Sequence, residues 1–226
     1  MTRITSVAQL RALYDPVRER SAKKEIPELD AHCQAFVARS PLVVVATHSV
    51  GVTAQADTAP LLSPGTDASP RGGQPGFVKV PDAHTLLIPD APGNNRLDTL
   101  ENIASGQAEG VAGQAWVGLL FLVPGVDETL RVNGLATLST DPTDLALCTD
   151  ERRTPKLAIR VAVRSAYLHC AKALMRSELW NPVRHLERSQ LPSMAEMMRD
   201  QIAHYRGETI VAETQAQMLE RYRQTL

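Results

Sequence analysis

The sequence predicts a mainly β protein with flanking helices, an α+β fold centred on an antiparallel barrel. Three observations carry this prediction. Six or seven short runs rich in β-branched and apolar residues follow one another between residues 42 and 168, most of them separated by Gly, Pro, Asp or Asn. Only one good helical pattern, residues 97–104, interrupts them, whereas a parallel doubly wound sheet needs a helix after nearly every strand. Helical periodicity otherwise appears only at the two ends of the chain.

Taken in order, residues 7–37 are mostly helical. Val7, Leu10, Leu13 and Tyr14 share one face, and a second amphipathic run, 29–36, follows Pro27. These read as covering helices. Residues 42–47, LVVVAT, form a β-branched run too short for a helix, with Pro41 before it and a turn signal at 49–51 after it. Further strands are predicted at 67–71, 76–80, 85–88, 117–123, 129–138 and 157–168. Helices are predicted again at 171–178, 193–204 and 208–222, and Ser193 with Glu196 has the form of a capping box. The expected organisation is an N-terminal helical segment (1–40), a barrel domain (41–170) and C-terminal helices (171–226) packing on the barrel or a dimer interface. Residues 104–115, ASGQAEGVAGQA, read as a flexible loop or as a lid over a ligand.

Composition narrows the function. With 226 residues, of which 43% are hydrophobic and 22% charged, the chain is an ordinary globular one and not a disordered one. Twenty-four basic against 25 acidic residues leave a net charge of -1, so no global field recruits nucleic acid or an anionic membrane. No apolar run approaches the roughly 20 residues that span a bilayer. The three cysteines, Cys33, Cys148 and Cys170, are widely spaced and form no CxxC pair, which argues against a disulfide framework or a zinc site and for a reducing cytoplasm. His169 and Cys170 are adjacent, but neighbours on a strand point to opposite faces, and no HExxH or similar ligand spacing occurs; no metal site is expected. A GxSxG elbow, a GxxxxGK[ST] loop and a GxGxxG fingerprint are also absent.

One stretch carries chemistry on its own terms. LLIPDAPGNNRLD, residues 86–98, leaves a strand through a Pro/Gly turn and enters a helix, with Asn95 placed as N-cap and Arg96 in the first turn. Backbone N–H groups and the helix dipole favour an anion there, and a guanidinium beside them binds phosphate oxygens bidentately. The plainer alternative is a capped helix with Arg96 turned to solvent.

The ordered set DASPRGG, TLLIPDAPGNNRLDTLENI, VGLLFLVPGVDETLRVNGLATLSTDP and AYLHCAKALMRSELW resembles the pyridoxamine 5′-phosphate oxidase-like flavoproteins over about residues 30–181. The resemblance implies a split antiparallel β-barrel that pairs as a homodimer and holds FMN at the subunit interface. It places Ala68, Ser69, Pro70 and Arg71 on the strand touching the flavin ring and its phosphate tail. Leu87, Ile88 and Pro89 fall on the adjoining strand against the ring, and Asn94, Asn95 and Arg96 at the ribityl phosphate. Glu128 and Thr129 stand where the partner subunit offers a polar side chain, and Lys172, Arg176 and Trp180 where the pocket closes.

The implied activity is FMN-dependent oxidoreduction of a small organic substrate, with NAD(P)H as a candidate donor. The flavin performs the redox step there, so no catalytic side chain is assigned. The alternative is a non-catalytic flavin- or haem-binding carrier or sensor. Pyridoxamine 5′-phosphate itself is disfavoured as substrate. Leu97 stands where genuine oxidases carry a second basic residue, and no C-terminal Arg-x-His motif is found.

Overall fold

The computed structural model describes residues 3–48 and 65–223. Seven strands, β1 (Leu42–His48), β2 (Thr66–Gly72), β3 (Lys79–Asp82), β4 (Thr85–Pro89), β5 (Ala115–Leu122), β6 (Thr129–Ser139) and β7 (Ala158–His169), form one sheet. Its order is β2-β1-β5-β6-β7-β4-β3, and every neighbouring pair is antiparallel. This is the split antiparallel β-barrel with flanking helices. The turn signal at 49–51 lies outside the described residues.

Alternation along each strand builds the core. Val43 and Val45 of β1 stand opposite Phe121 and Leu119 of β5, which in turn stand opposite Leu130 and Val132 of β6. All six are essentially inaccessible. Burying each such side chain contributes roughly 1.5–3 kcal/mol, so this layered interior is the main stabilising element of the barrel. β6 and β7 are long, and their ladder shifts register between Asn133 and Gly134. A Cβ at Gly134 would lie 2.4 Å from the carbonyl oxygen of Ala162, so only glycine lets the two backbones approach there.

The helices differ in what they cover. α3 (Ala31–Val37) is capped by the Asp30 carboxylate and buries Cys33 and Val37. By contrast, α1 (Val7–Arg11) and α2 (Glu19–Ala22) bury nothing, so the covering role expected of the whole N-terminal segment belongs to residues 26–37, where Ile26 also bridges to Ala166 of β7. α4 (Asp98–Ala104) packs Thr99, Leu100 and Ile103 against the barrel. α5 (Pro142–Cys148), which periodicity did not predict, follows the Asp141 N-cap with Pro at N1 and covers Leu87 with Leu145 and Cys148.

Residues 104–115 depart from the flexible loop expected. Gly113 N–H donates to Gly106 at 2.9 Å, Ala108 N–H donates to Gln114 at 2.8 Å, and a short 3-10 turn spans Ala108–Gly110. Gly106 is buried, and a Cβ there would meet the Gln114 carbonyl at 2.5 Å. The glycines thus serve a compact, self-bonded turn. The predicted strand at 76–80 is shifted to Lys79–Asp82.

Among the described residues, a second unit comprises 91–96 and 174–223. α6 (Lys172–Ser177) crosses into it from the barrel unit. α7 (Met194–Arg206) begins with the predicted capping box, Ser193 and Glu196 each bonding the other's backbone, and ends at Gly207. The predicted helix 208–222 is shortened to α8 (Gln215–Arg223), because Thr214 caps it and the preceding Thr209, Ile210 and Val211 are β-branched. Among the described residues no helix is long and apolar enough to cross a membrane.

Candidate functional site

The pleat divides the β2 residues into two groups. Asp67, Ser69 and Arg71 stand opposite Thr47, Val45 and Val43 and are half-buried on the inward side, while Ala68, Pro70 and Gly72 are exposed on the outward side. Ala68 and Pro70 therefore offer a smooth, small-residue strip, and Ser69 and Arg71 offer polar groups to the opposite face. β2 pairs only with β1 among the described residues, so it is an edge strand, where the missing N–H of Pro70 breaks no ladder.

Polar contacts lock α4 against this edge. The Thr99 hydroxyl donates to the Asp67 carboxylate at 2.8 Å, and the Asn102 side chain donates to the Thr47 hydroxyl at 2.9 Å. Thr99 and Thr47 are both buried, so each bond satisfies a group that water does not reach.

Arg71 is the unusual member. In the sheet order β2 is one terminal strand and β4 lies beside the other, yet Arg71 Nη1 approaches Asp90 Oδ1, just past β4, at 3.4 Å. The sheet has curled until its two ends meet, and this pair crosses the seam. The Arg71 and Asp90 side chains are 17% and 20% exposed, respectively. Among the described residues, Arg71 Nε is buried with no hydrogen-bond partner. An unmet buried donor costs about 1–3 kcal/mol, more for a charged group, so Arg71 is held at the seam at an energetic cost.

The other expected positions fall as follows. Leu87 and Ile88 are fully buried, packed under α5 and in the main core, so their side chains have no surface to lay against a ring; only Pro89 and Asp90, at the end of β4, are partly open. The helix start is also different from the expectation. Leu97, with φ 60°, is the N-cap, and α4 begins at Asp98, so Asn95 is not the cap and Arg96 is not in the first turn. The reason is local. The Asn94 side chain accepts from Arg96 N–H at 3.0 Å in an Asx turn, and Asn95 takes a left-handed conformation at φ 59°. Asp98 and Glu101 fill the first turn and complement the dipole that an anion was expected to meet.

Glu128 is exposed, and Thr129 is buried at the start of β6 opposite His169. Lys172 is exposed at the start of α6, in the barrel unit. Asn94, Asn95, Arg96, Arg176 and Trp180 belong to the second unit, where Arg176 is exposed and Trp180 half-buried. Asp90 was present in the motif without a role, and its pairing with Arg71 becomes visible only when the sheet closes.

Residues 29–170, well over half of the chain, match the family model described as "Pyridoxamine 5'-phosphate oxidase". The chain belongs to this family. The match starts at the buried Leu29 and ends after β7, so the family region is the barrel with its α3 cover. No protein of curated function matches the sequence. Solved structures to which the chain is similar include HupZ from Group A Streptococcus, with a TM-score of 0.44 and 12% identity, covering 62% of this chain and 92% of that one. The FAD binding protein from Mycobacterium smegmatis has a TM-score of 0.35 and 15% identity, covering 63% of this chain and 98% of that one.

Proposed function

We propose that this protein is an FMN-dependent oxidoreductase of the pyridoxamine 5′-phosphate oxidase-like type, working as a homodimer in the reducing cytoplasm on a small organic substrate. The observation that carries the proposal is the family match over residues 29–170, with the small-residue strip of Ala68 and Pro70 exposed on the edge strand.

The residues fit such a group. On the outer side Ala68 and Pro70 give an edge strand without bulky side chains, against which a planar ring system packs without displacing anything. Arg71 lies on the opposite face of this strand, paired with Asp90, and the resemblance assigns the phosphate to Asn94, Asn95 and Arg96. Bound FMN would supply the electron or hydride transfer, while the chain binds and orients it and excludes water from one ring face. Leu97 in place of a second basic residue argues against pyridoxamine 5′-phosphate as substrate.

Purified protein tests the proposal directly. The expected result is a yellow protein, or one that turns yellow on adding FMN, whose flavin absorbance bleaches with NADH or NADPH and returns in air. Bound flavin that no nicotinamide reduces would leave a carrier or sensor, and a protein that rejects FMN would end the flavin reading.

A further inference from the structure

The N-terminal segment forms a turn of helix that its own barrel does not use. In α1 the Ser6 hydroxyl accepts from Gln9 N–H at 3.2 Å, and the Gln9 side chain accepts from Thr5 N–H at 2.8 Å. Isolated helices shorter than about 12–15 residues are marginal in water, so a capped helix of five residues persists only on a surface that takes its apolar side. Yet Ile4, Val7, Leu10, Leu13, Tyr14 and Val17 are 43–74% exposed. Together they present several hundred Å² of surface, the scale on which apolar patches mark association, and a large share of the roughly 800 Å² per partner that a specific interface buries.

The root of this segment points to what covers it. Ile26 exchanges both backbone hydrogen bonds with Ala166 of β7, at 3.0 and 2.8 Å. The Lys24 ammonium donates to the Leu168 carbonyl at 3.1 Å and lies 5.1 Å from the centre of the Tyr167 ring. Tyr167 stands opposite Arg131, Arg131 opposite Leu120, and Leu120 opposite Val44. With strands about 4.8 Å apart, the segment leaves the barrel roughly 10–15 Å from Leu120 and Val44, in the same row of the sheet. That row, with the half-exposed Trp116, is a second apolar surface that the chain leaves uncovered. Residues 4–24 span tens of ångströms even when only partly extended, enough to cross onto a neighbouring barrel.

We propose that residues 4–17 are an exchanged arm that docks on the outward barrel face of a second copy, with Leu10, Leu13 and Tyr14 against Val44, Leu120 and Trp116. This rests on the homodimer of the functional reading. Two apolar surfaces that leave each other bare within one chain cover each other reciprocally when two copies meet about a twofold axis, and Tyr and Trp are the residue types that anchor such contacts. Pro70 stands opposite Val44 on that face, so each arm also borders the strip given to the ring in the other copy.

Sedimentation velocity over a concentration series of the full chain and of the double variant Leu10→Asp, Leu13→Asp tests the arm. Neither leucine is buried in the single chain, so the variant's far-ultraviolet circular dichroism is expected to match wild type while its dimer dissociates at least about tenfold more readily. The seat is tested by cross-linking. Leu13→Cys and Ala46→Cys, the latter exposed two residues beyond Val44, are made in separate chains that also carry Cys170→Ser, mixed to exchange subunits and treated with a short bismaleimide. A cross-linked dimer containing one of each is expected. An equally stable dimer in the double leucine variant, or a cross-link that forms only when both cysteines lie on one chain, would overturn the exchange and leave the homodimer standing. A wild-type protein that is monomeric throughout would remove the homodimer and the arm's docking with it.

Discussion

Individual side chains in this protein are tuned by burial and by the backbone beside them. The Cys33 thiol is pushed up to about 12 by burial first and by Asp30 second, and burial raises Cys148 as well. Thiolate is the reactive form, so both should resist alkylation at pH 8, while the exposed Cys170 is open to reagent. One thiol is expected to react rapidly with a chromogenic disulfide in native protein and three in urea; fast labelling of Cys33 in a mass-mapped digest would contradict its burial. At Arg96 the sequence motif, and not the helix start, supports a phosphate contact. Arg96→Ala is expected to weaken FMN binding by about 1.5–3 kcal/mol, the scale of a charge-assisted hydrogen bond, read by titration against wild type with the melting temperature unchanged.

The bulge and the helix caps carry the burden at the scale of elements. At Gly134 the obstruction to a side chain is backbone, not a flexible tip, so relaxation is limited. Gly134→Ala should therefore destabilise by about 3 kcal/mol, seen as a lower urea midpoint, whereas a neutral effect would mean the β6–β7 ladder re-registers freely. Asp30 and Asp141 cap α3 and α5, and backbone N–H groups of Cys33 and Thr143 hold their carboxyls below the usual 3.8. A carboxyl lowered by folding stabilises above its unfolded value and loses that contribution as pH falls through the folded one. Stability should then be flat near neutrality and decline below about pH 4, and the double variant Asp30→Asn, Asp141→Asn should show a shallower decline in denaturation series between about pH 6 and 2.5. The cap at Ser193 is written in short-range spacing, which is why a capping box is legible in the sequence. The end of β4 was not, because Leu87 and Ile88 look like an apolar strand whether they face a ligand or a helix, and α5 settles the matter for Leu87 by covering it.

Across the molecule, the barrel leaves an apolar row on its outward side. Val44 of β1 and Leu120 of β5 stand opposite one another, and Trp116 further along β5 is 51% exposed. Large exposed apolar surfaces commonly mark association sites, and the proposed homodimer would use this one. Trp116→Glu is expected to convert a dimer to a monomer in sedimentation and to weaken FMN binding if the flavin lies between subunits. A variant that remains dimeric would place the interface elsewhere. Strand number, antiparallel class and the family are legible in the sequence, since β-branched runs and ordered motifs are local properties of the chain. The compact turn at 104–115 was not, because its small residues describe a flexible loop and a tightly bonded one equally well until Gly106 and Gln114 are seen to meet.

By itself, then, the sequence determined the alternation that turns Val43, Val45, Leu119 and Phe121 inward, the capping box and the motif order that marks the family, all of which depend on neighbours a few residues away. Only the tertiary structure decided that Arg71 would meet Asp90 and that Leu87 would be covered. The physical reason is distance along the chain. A seam is made where a sheet closes on itself, and which donor is left without a partner there depends on how strands far apart in sequence curl together.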